Sequence, residues 1–138
     1  MKSNKEAQPR LYRLIDANLN RLREGIRVVE DIYRYIYDDK TIASKLKNIR
    51  HMARYENEKL IEARDIAGDV LKKSTRSEQE REDLDSIVIA NIKRAQESAR
   101  VLEEAFKLVD IEASQKFKTI RYELYDVEIT LRKNRHFD

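Results

Sequence analysis

Two stretches of this chain carry the same polar residues at the same spacing. DANLNRLREGIRVVED (16–31) laid over IANIKRAQESARVLEE (89–104) gives seven identities in sixteen positions: Ala17/Ala90, Asn18/Asn91, Arg21/Arg94, Glu24/Glu97, Arg27/Arg100, Val28/Val101 and Glu30/Glu103. Duplicated segments need only keep apolar character to keep a core. Here the apolar positions drift, Leu22 to Ala95 and Ile26 to Ala99, while Asn, Arg, Glu, Arg and Glu stay fixed. On a helical wheel each Asn stands at the centre of the apolar face, with the Arg three residues on about 60° to one side and the Glu about 60° further. A carboxamide on an apolar face is costly unless hydrogen-bonded. Two readings follow. Asn18 and Asn91 bond each other or a neighbouring helix, and Arg21–Glu24 is an i,i+3 ion pair; or the Asn/Arg/Glu strip lines a polar pocket between two helical hairpins. Gly25 and Ser98, seven residues beyond each Asn, suit close helix packing and also leave room for a pocket.

The second group of chemistry-bearing residues is ARDIAGDVLKKSTR (63–76), with Arg64, Asp65, Asp69, Lys72, Lys73 and Arg76. It is either a solvated charged loop or two carboxylates for Mg²⁺ beside cations for phosphates, since Arg grips phosphate bidentately and Mg²⁺ takes a few carboxylate oxygens. Other chemistries lack their residues. There is no cysteine, hence no thiolate nucleophile, disulfide or Cys-ligated metal. No glycine-rich phosphate loop occurs. The two histidines, His51 and His136, stand at no metal-ligand spacing and are read as surface residues.

The elements that position these residues are helices. Only Gly25, Gly68 and Pro9 break the chain, and 41% apolar with 40% charged residues fits long amphipathic helices with broad solvated faces. Leu11, Leu14, Ile15, Asn18, Leu22, Gly25, Val29, Ile32 and Ile36 form a stripe along one long helix, roughly 10–37. Ile42, Leu46, Ile49, Ala53 and Leu60 predict a second, roughly 41–62. Ser77-Glu78-Gln79-Glu80 reads as a capping box opening a third helix, roughly 77–109, and Asp110 caps a fourth, roughly 111–134. KLKNIR (45–50) matches KFKTIR (116–121) at Lys, Lys, Ile and Arg, so the second helix corresponds to the fourth as the first does to the third. The expected fold is all-α. A single domain over 1–138 holds four long helices as two repeated antiparallel hairpins (about 10–62 and 77–134, joined by loop 63–76) about an approximate two-fold. The net charge of +3 is spread too evenly for a nucleic-acid patch. No apolar run nears the ~20 residues a membrane span needs, and no secretory leader is read, so a cytoplasmic location is expected.

LYRLIDANLNRLREGIRVVEDIYRY, EARDIAGDV, IANIKRAQESARVLEEAFKL and IRYELYDVE together resemble the small all-helical hydroxymethylpyrimidine-phosphate kinase family of thiamine biosynthesis, whose members stand alone or are fused in front of thiamine phosphate synthase. The resemblance covers roughly 10–130, with Leu71 standing where the family pattern carries glycine. It implies ATP-dependent phosphorylation of 4-amino-5-hydroxymethyl-2-methylpyrimidine phosphate to the diphosphate, with the free alcohol rejected and ATP and Mg²⁺ as cofactors. Family motif positions carry over to Asp16, Asn18, Arg21, Glu24, Arg27, Glu30, Arg64, Asp65, Asp69, Asn91, Arg94, Glu97, Arg100, Glu103 and Arg121. On this basis Arg21, Arg94, Glu24 and Glu97 are expected to be catalytic. Asn18, Asn91, Arg27, Arg100, Arg64 and Arg121 would bind substrate, and Asp65 and Asp69 the metal. The partners so implied are the two small molecules and thiamine phosphate synthase, with a homodimer allowed. Two other classes stay open: a non-catalytic helical module binding a phosphorylated ligand or a thiamine enzyme, and a structural bundle whose polar strip sets dimer register.

Overall fold

The computed structural model describes residues 9–75 and 80–134, all of them helix, turn or loop with no strand. Five α-helices occur among them: α1 (Pro9–Asp31), α2 (Lys40–Met52), α3 (Glu58–Ala63), α4 (Leu84–Phe106) and α5 (Ile111–Asn134). Pro9 opens α1, a position where its fixed φ fits and its missing N–H costs nothing. A π-helical turn, Ile32–Ile36, follows directly, and Asp38 takes a left-handed φ of 51° at the corner. Asp39 then caps α2, its carboxylate accepting from the Ile42 amide at 3.0 Å.

The second expected helix is in fact two. Ala53 leaves the helical path at ψ 58°, and Asn57 caps the new helix α3 by accepting from the Lys59 amide. The break is held by packing, because Tyr55 in the connector lies on Phe106 of α4 at 4.6 Å between ring centroids. Propensity alone carries no signal of that long-range contact. The third helix also starts later than expected. Ser77, Glu78 and Gln79 of the proposed capping box lie outside the described residues, and Glu80 to Glu82 are not helical. Asp83, extended at φ −158°, accepts from the Ser86 amide and hydroxyl and is the cap. Asp110 caps α5 as expected, accepting from the Glu112 and Ala113 amides.

One apolar cluster draws on all five helices, with Ile15, Leu22, Ile26, Leu46, Ile92, Leu102, Phe106, Phe117, Ile120 and Leu124 fully buried. Helix α1 packs chiefly on α4, and α4 on α5. The α1–α4 seam is close because Gly25 faces the partner backbone. A Cβ added there would stand 3.1 Å from the Asn91 carbonyl oxygen and 3.5 Å from Ala95 Cβ. Leu22 and Ile26 of α1 and the smaller Ala95 and Ala99 of α4 are all fully buried.

Two buried charges lock the helix pairs. Glu30 of α1 accepts from Arg50 of α2 at 2.7 and 3.2 Å, and Glu103 of α4 accepts from Arg121 of α5 at 3.0 and 2.8 Å. Tyr125 adds a third bond to Arg121, and this hydroxyl, together with Glu103, raises the guanidinium pKa despite burial. No described helix is long and apolar enough to cross a membrane.

Removing one partner of a buried ion pair strands the other charge, at a cost of about 3–5 kcal/mol. Arg121→Ala is therefore expected to lower unfolding free energy by roughly that amount, whereas Arg21→Ala, at an exposed position with no ion-pair partner among the described residues, should stay within about 0.5 kcal/mol of wild type. Urea denaturation of both variants measures the difference.

Candidate functional site

Two adjoining clefts lie along α1. A cleft of about 740 Å³ runs along the α1–α4 seam. Apart from Ser74, its walls are five pairs aligned by the sequence repeat: Asn18/Asn91, Arg21/Arg94, Glu24/Glu97, Gly25/Ser98 and Val28/Val101. The helical wheel thus places the strip correctly, and the pocket-lining alternative describes its surroundings. A volume of this size lies within the ordinary range for small-molecule sites.

The two asparagines do not bond each other. Asn18 Nδ2 donates to the Leu14 carbonyl at 2.9 Å and Asn91 Nδ2 to the Ile87 carbonyl at 2.8 Å. A carbonyl partner requires the amide nitrogen, so each Oδ1 is left as the acceptor of its carboxamide. Asn18 is buried and Asn91 half-buried. The charged members of the strip are exposed. None of Arg21, Glu24, Arg94 and Glu97 has a hydrogen-bond or ion-pair partner among the described residues, so of the two readings the i,i+3 pair of Arg21 and Glu24 is not formed.

A second cleft of about 640 Å³ adjoins the first and shares Asn18, Arg21 and Glu24 with it. Arg10, Arg13, Asp16 and Asn20 of α1 line it, together with Arg64, Asp65, Ile66 and Asp69 of the connecting loop. Arg13 donates to the Asp65 carbonyl at 3.0 Å, and Arg64 grips Asp16 through two bonds of 2.7 and 2.8 Å, so the loop is tied to α1 at two places. That pairing with Asp16 raises the Arg64 pKa. Asp65 Oδ1 accepts from the Gly68 amide and Asp69 Oδ1 from the Leu71 amide. A Cβ added at Gly68 would meet the Asp65 carboxylate, which would have to swing aside and give up its bond to the Gly68 amide.

These carboxylates suit Mg²⁺ in one particular way. No described group of three or more acidic or histidine side chains could hold a metal unaided. Mg²⁺ commonly binds through one or two carboxylates plus substrate phosphates. Asp65 and Asp69 are exposed, and each commits one oxygen to the loop's own turns.

The remaining expected site residues fall elsewhere. Arg121 is 8% exposed in its pair with Glu103 and Tyr125, so it holds α4 to α5 and does not reach the cleft. Arg27 pairs with Asp31, and Arg100 approaches Glu103 and Glu104; neither lines either cleft. Lys72 and Lys73 are exposed and line neither cleft, and Arg76 and His136 lie outside the described residues. His51 is exposed on α2, as expected of a surface residue. Sequence reasoning assigned no role to Arg10, Arg13 and Asn20. The signal was present, because positions 10, 13, 17, 20, 21 and 24 share one helical face.

Because Gly25 sits against backbone, side chains there test the seam directly. Gly25→Leu is expected to cost about 1–3 kcal/mol through overpacking. Gly25→Ala should cost less, because helix propensity returns up to about 1 kcal/mol. Thermal unfolding of both distinguishes this from a solvent-facing glycine, where neither would destabilise.

Comparison with known proteins gives a consistent picture. The chain is 39% identical over 127 residues to a thiamine-phosphate synthase of Thermosynechococcus vestitus, covering 91% of this chain and 36% of that protein. A thiamine-phosphate synthase of Rhodopirellula baltica is 40% identical over 121 residues, with coverage of 83% and 32%. One from Nostoc punctiforme is 36% identical over 128 residues, covering 91% and 36%. The chain thus spans about a third of the length of these relatives. No solved structure matches it. The model of the ThiD2 family matches residues 13–130, which include every residue of the α1–α4 cleft, and the chain belongs to that family.

Proposed function

We propose that this protein acts in thiamine biosynthesis as a kinase, converting 4-amino-5-hydroxymethyl-2-methylpyrimidine phosphate to its diphosphate with MgATP. One observation carries the reading: the repeated Asn, Arg and Glu residues converge on one cleft, and its four charged side chains have no partners among the described residues. Arginines left unpaired beside acceptor carboxamides suit an anionic ligand with donor groups. The thiamine-phosphate synthases that match this chain support the pathway.

The two clefts suit the two substrates. The α1–α4 cleft offers the Oδ1 atoms of Asn18 and Asn91 as acceptors for the exocyclic amine of an aminopyrimidine, and Arg94 for its phosphate. The loop cleft offers Arg10 and Arg13 for nucleotide phosphates and Asp65 and Asp69 for the metal. Asn18, Arg21 and Glu24 line both, so the reacting groups would meet at them.

The reaction asks little of the protein beyond position and charge. A phosphate monoester is anionic at neutral pH and needs no catalytic base. Its oxygen attacks the γ-phosphorus of ATP, a new P–O–P linkage forms, the bond to the bridging β,γ oxygen breaks, and ADP leaves. Charge spreads over the transferred group, and Arg21 at the shared wall would neutralise it. Mg²⁺, when bound, would screen the nucleotide phosphates. Such a transfer needs no covalent nucleophile from the protein, and no histidine or cysteine lines either cleft. The free alcohol would leave Arg94 without its counter-charge, and a site built for a charged group discriminates strongly against an analogue lacking it.

An ammonium does not reproduce the guanidinium fork. Arg94→Lys is expected to raise the Michaelis constant for the pyrimidine phosphate about tenfold or more, while Arg21→Lys lowers kcat by at least ~10²-fold. Asp65→Asn should raise the Michaelis constant for MgATP with the fold unchanged by circular dichroism. Steady-state kinetics on the three variants checks the assignment. Full activity in both arginine variants would reduce these residues to surface charges.

A further inference from the structure

On the opposite side of α1 from the α1–α4 cleft, a smaller cavity of about 290 Å³ opens between α1 and the connector that breaks α2 from α3. We propose that this cavity is a second anion site, taking a small phosphate-bearing molecule on Arg23 and Arg54. It stands apart from the proposed kinase chemistry, which uses neither arginine.

The case begins with charge. Arg23 and Arg54 both line the cavity, and neither has an acidic partner among the described residues. Arg23 Nε is buried without any hydrogen-bond partner, which is costly for a charged donor. Burial lowers the Arg23 pKa, and the nearby positive charges of Arg54 and Arg50 lower it further. Arg50 is already committed to Glu30. His51, on the same turn of α2, is depressed by desolvation and then by Arg50, Arg54 and Lys47, a second sign of positive potential at this end of the helix. The acids that reach the cavity are Asp16, held bidentately by Arg64, and Glu56, which is exposed and within ion-pair distance of neither arginine.

The other repeat shows what a closed version looks like. Gln96 aligns with Arg23, and it donates to Glu128 of α5, which also takes Lys93 and Arg132. There the chain supplies its own carboxylate, whereas no carboxylate lies within ion-pair distance of Arg23 among the described residues. Of the two aligned positions, one has its anion built in and the other leaves the place open. Two guanidiniums fit phosphate oxygens bidentately, and the cavity has room for a phosphate or diphosphate group. Tyr55, Leu19 and Leu60 add an apolar wall for the body of such a molecule.

Pyrophosphate is the probe, titrated into the full chain by isothermal calorimetry with Arg Nε–H signals followed by NMR. Wild type is expected to bind one equivalent here, with the Arg23 Nε–H shifting, besides what the two clefts of the proposed kinase site take up. Arg54→Gln should lose one equivalent, or weaken it at least ~10-fold, and Arg23→Gln should do the same. Without ligand at low salt, Arg23→Gln should raise Tm by ~2–4 °C, since it removes like-charge repulsion. Retention of the wild-type stoichiometry in both variants, with the wild-type Arg23 signal unmoved by pyrophosphate, would overturn the anion site. A single equivalent lost in Arg54→Gln but kept in Arg21→Lys would uphold it and count against the kinase cleft instead.

Discussion

The close seam between α1 and α4 is the constraint on which the rest depends. Gly25 lets the two helices approach until it faces the Asn91 carbonyl and Ala95 of α4. At that separation the two repeated strips, one on each helix, face a common space. Were the helices an ordinary side chain further apart, Arg21 and Arg94 would line different surfaces, and no ligand of the size considered would meet both. The seam is thus both a packing solution and the device that turns a sequence repeat into a cleft.

The charges shared by the repeats divide into two kinds, and the division is made by burial. Glu30 with Arg50 and Glu103 with Arg121 are withdrawn from water and bonded to each other across helix pairs. Their retention in both halves follows from the cost of stranding either partner. Asn18/Asn91, Arg21/Arg94 and Glu24/Glu97 lie at the cleft, where no described partner holds the charges. These exposed charges recur at equivalent places without a hydrogen-bond or ion-pair partner among the described residues, and the proposed ligand accounts for that recurrence. The loop 64–75 contributes through ties to α1 by Arg13 and Arg64, which bring Asp65 and Asp69 to the edge of the same space.

Much of this was legible in the sequence, for identifiable reasons. The 3.6-residue stripes gave α1, α4 and α5, and the fixed Asn, Arg and Glu gave the cleft walls, because a helix converts spacing into direction without further information. Arg121 was misjudged for the same reason that it was noticed. Identity between repeats marks a residue as constrained, and only the opposing helix reveals whether the constraint is a ligand or a glutamate. The clue lay in two repeats kept together, Glu30/Glu103 and Arg50/Arg121, which could have been read as a pair. The break after Met52 was illegible because it depends on Tyr55 finding Phe106, far along the chain. The late start of α4 turned on a choice between two capping residues, Ser77 and Asp83, that local chemistry does not rank.

The reading stands or falls on whether phosphoryl transfer ends on a phosphate and not on a hydroxyl. Phosphorus NMR of the protein with MgATP and either the pyrimidine monophosphate or the free alcohol observes this bond directly. The expected result is a coupled pair of diphosphate signals rising in step with ADP in the first mixture and an unchanged spectrum in the second. Unconsumed ATP with the monophosphate, or a monoester signal appearing from the alcohol, would contradict it.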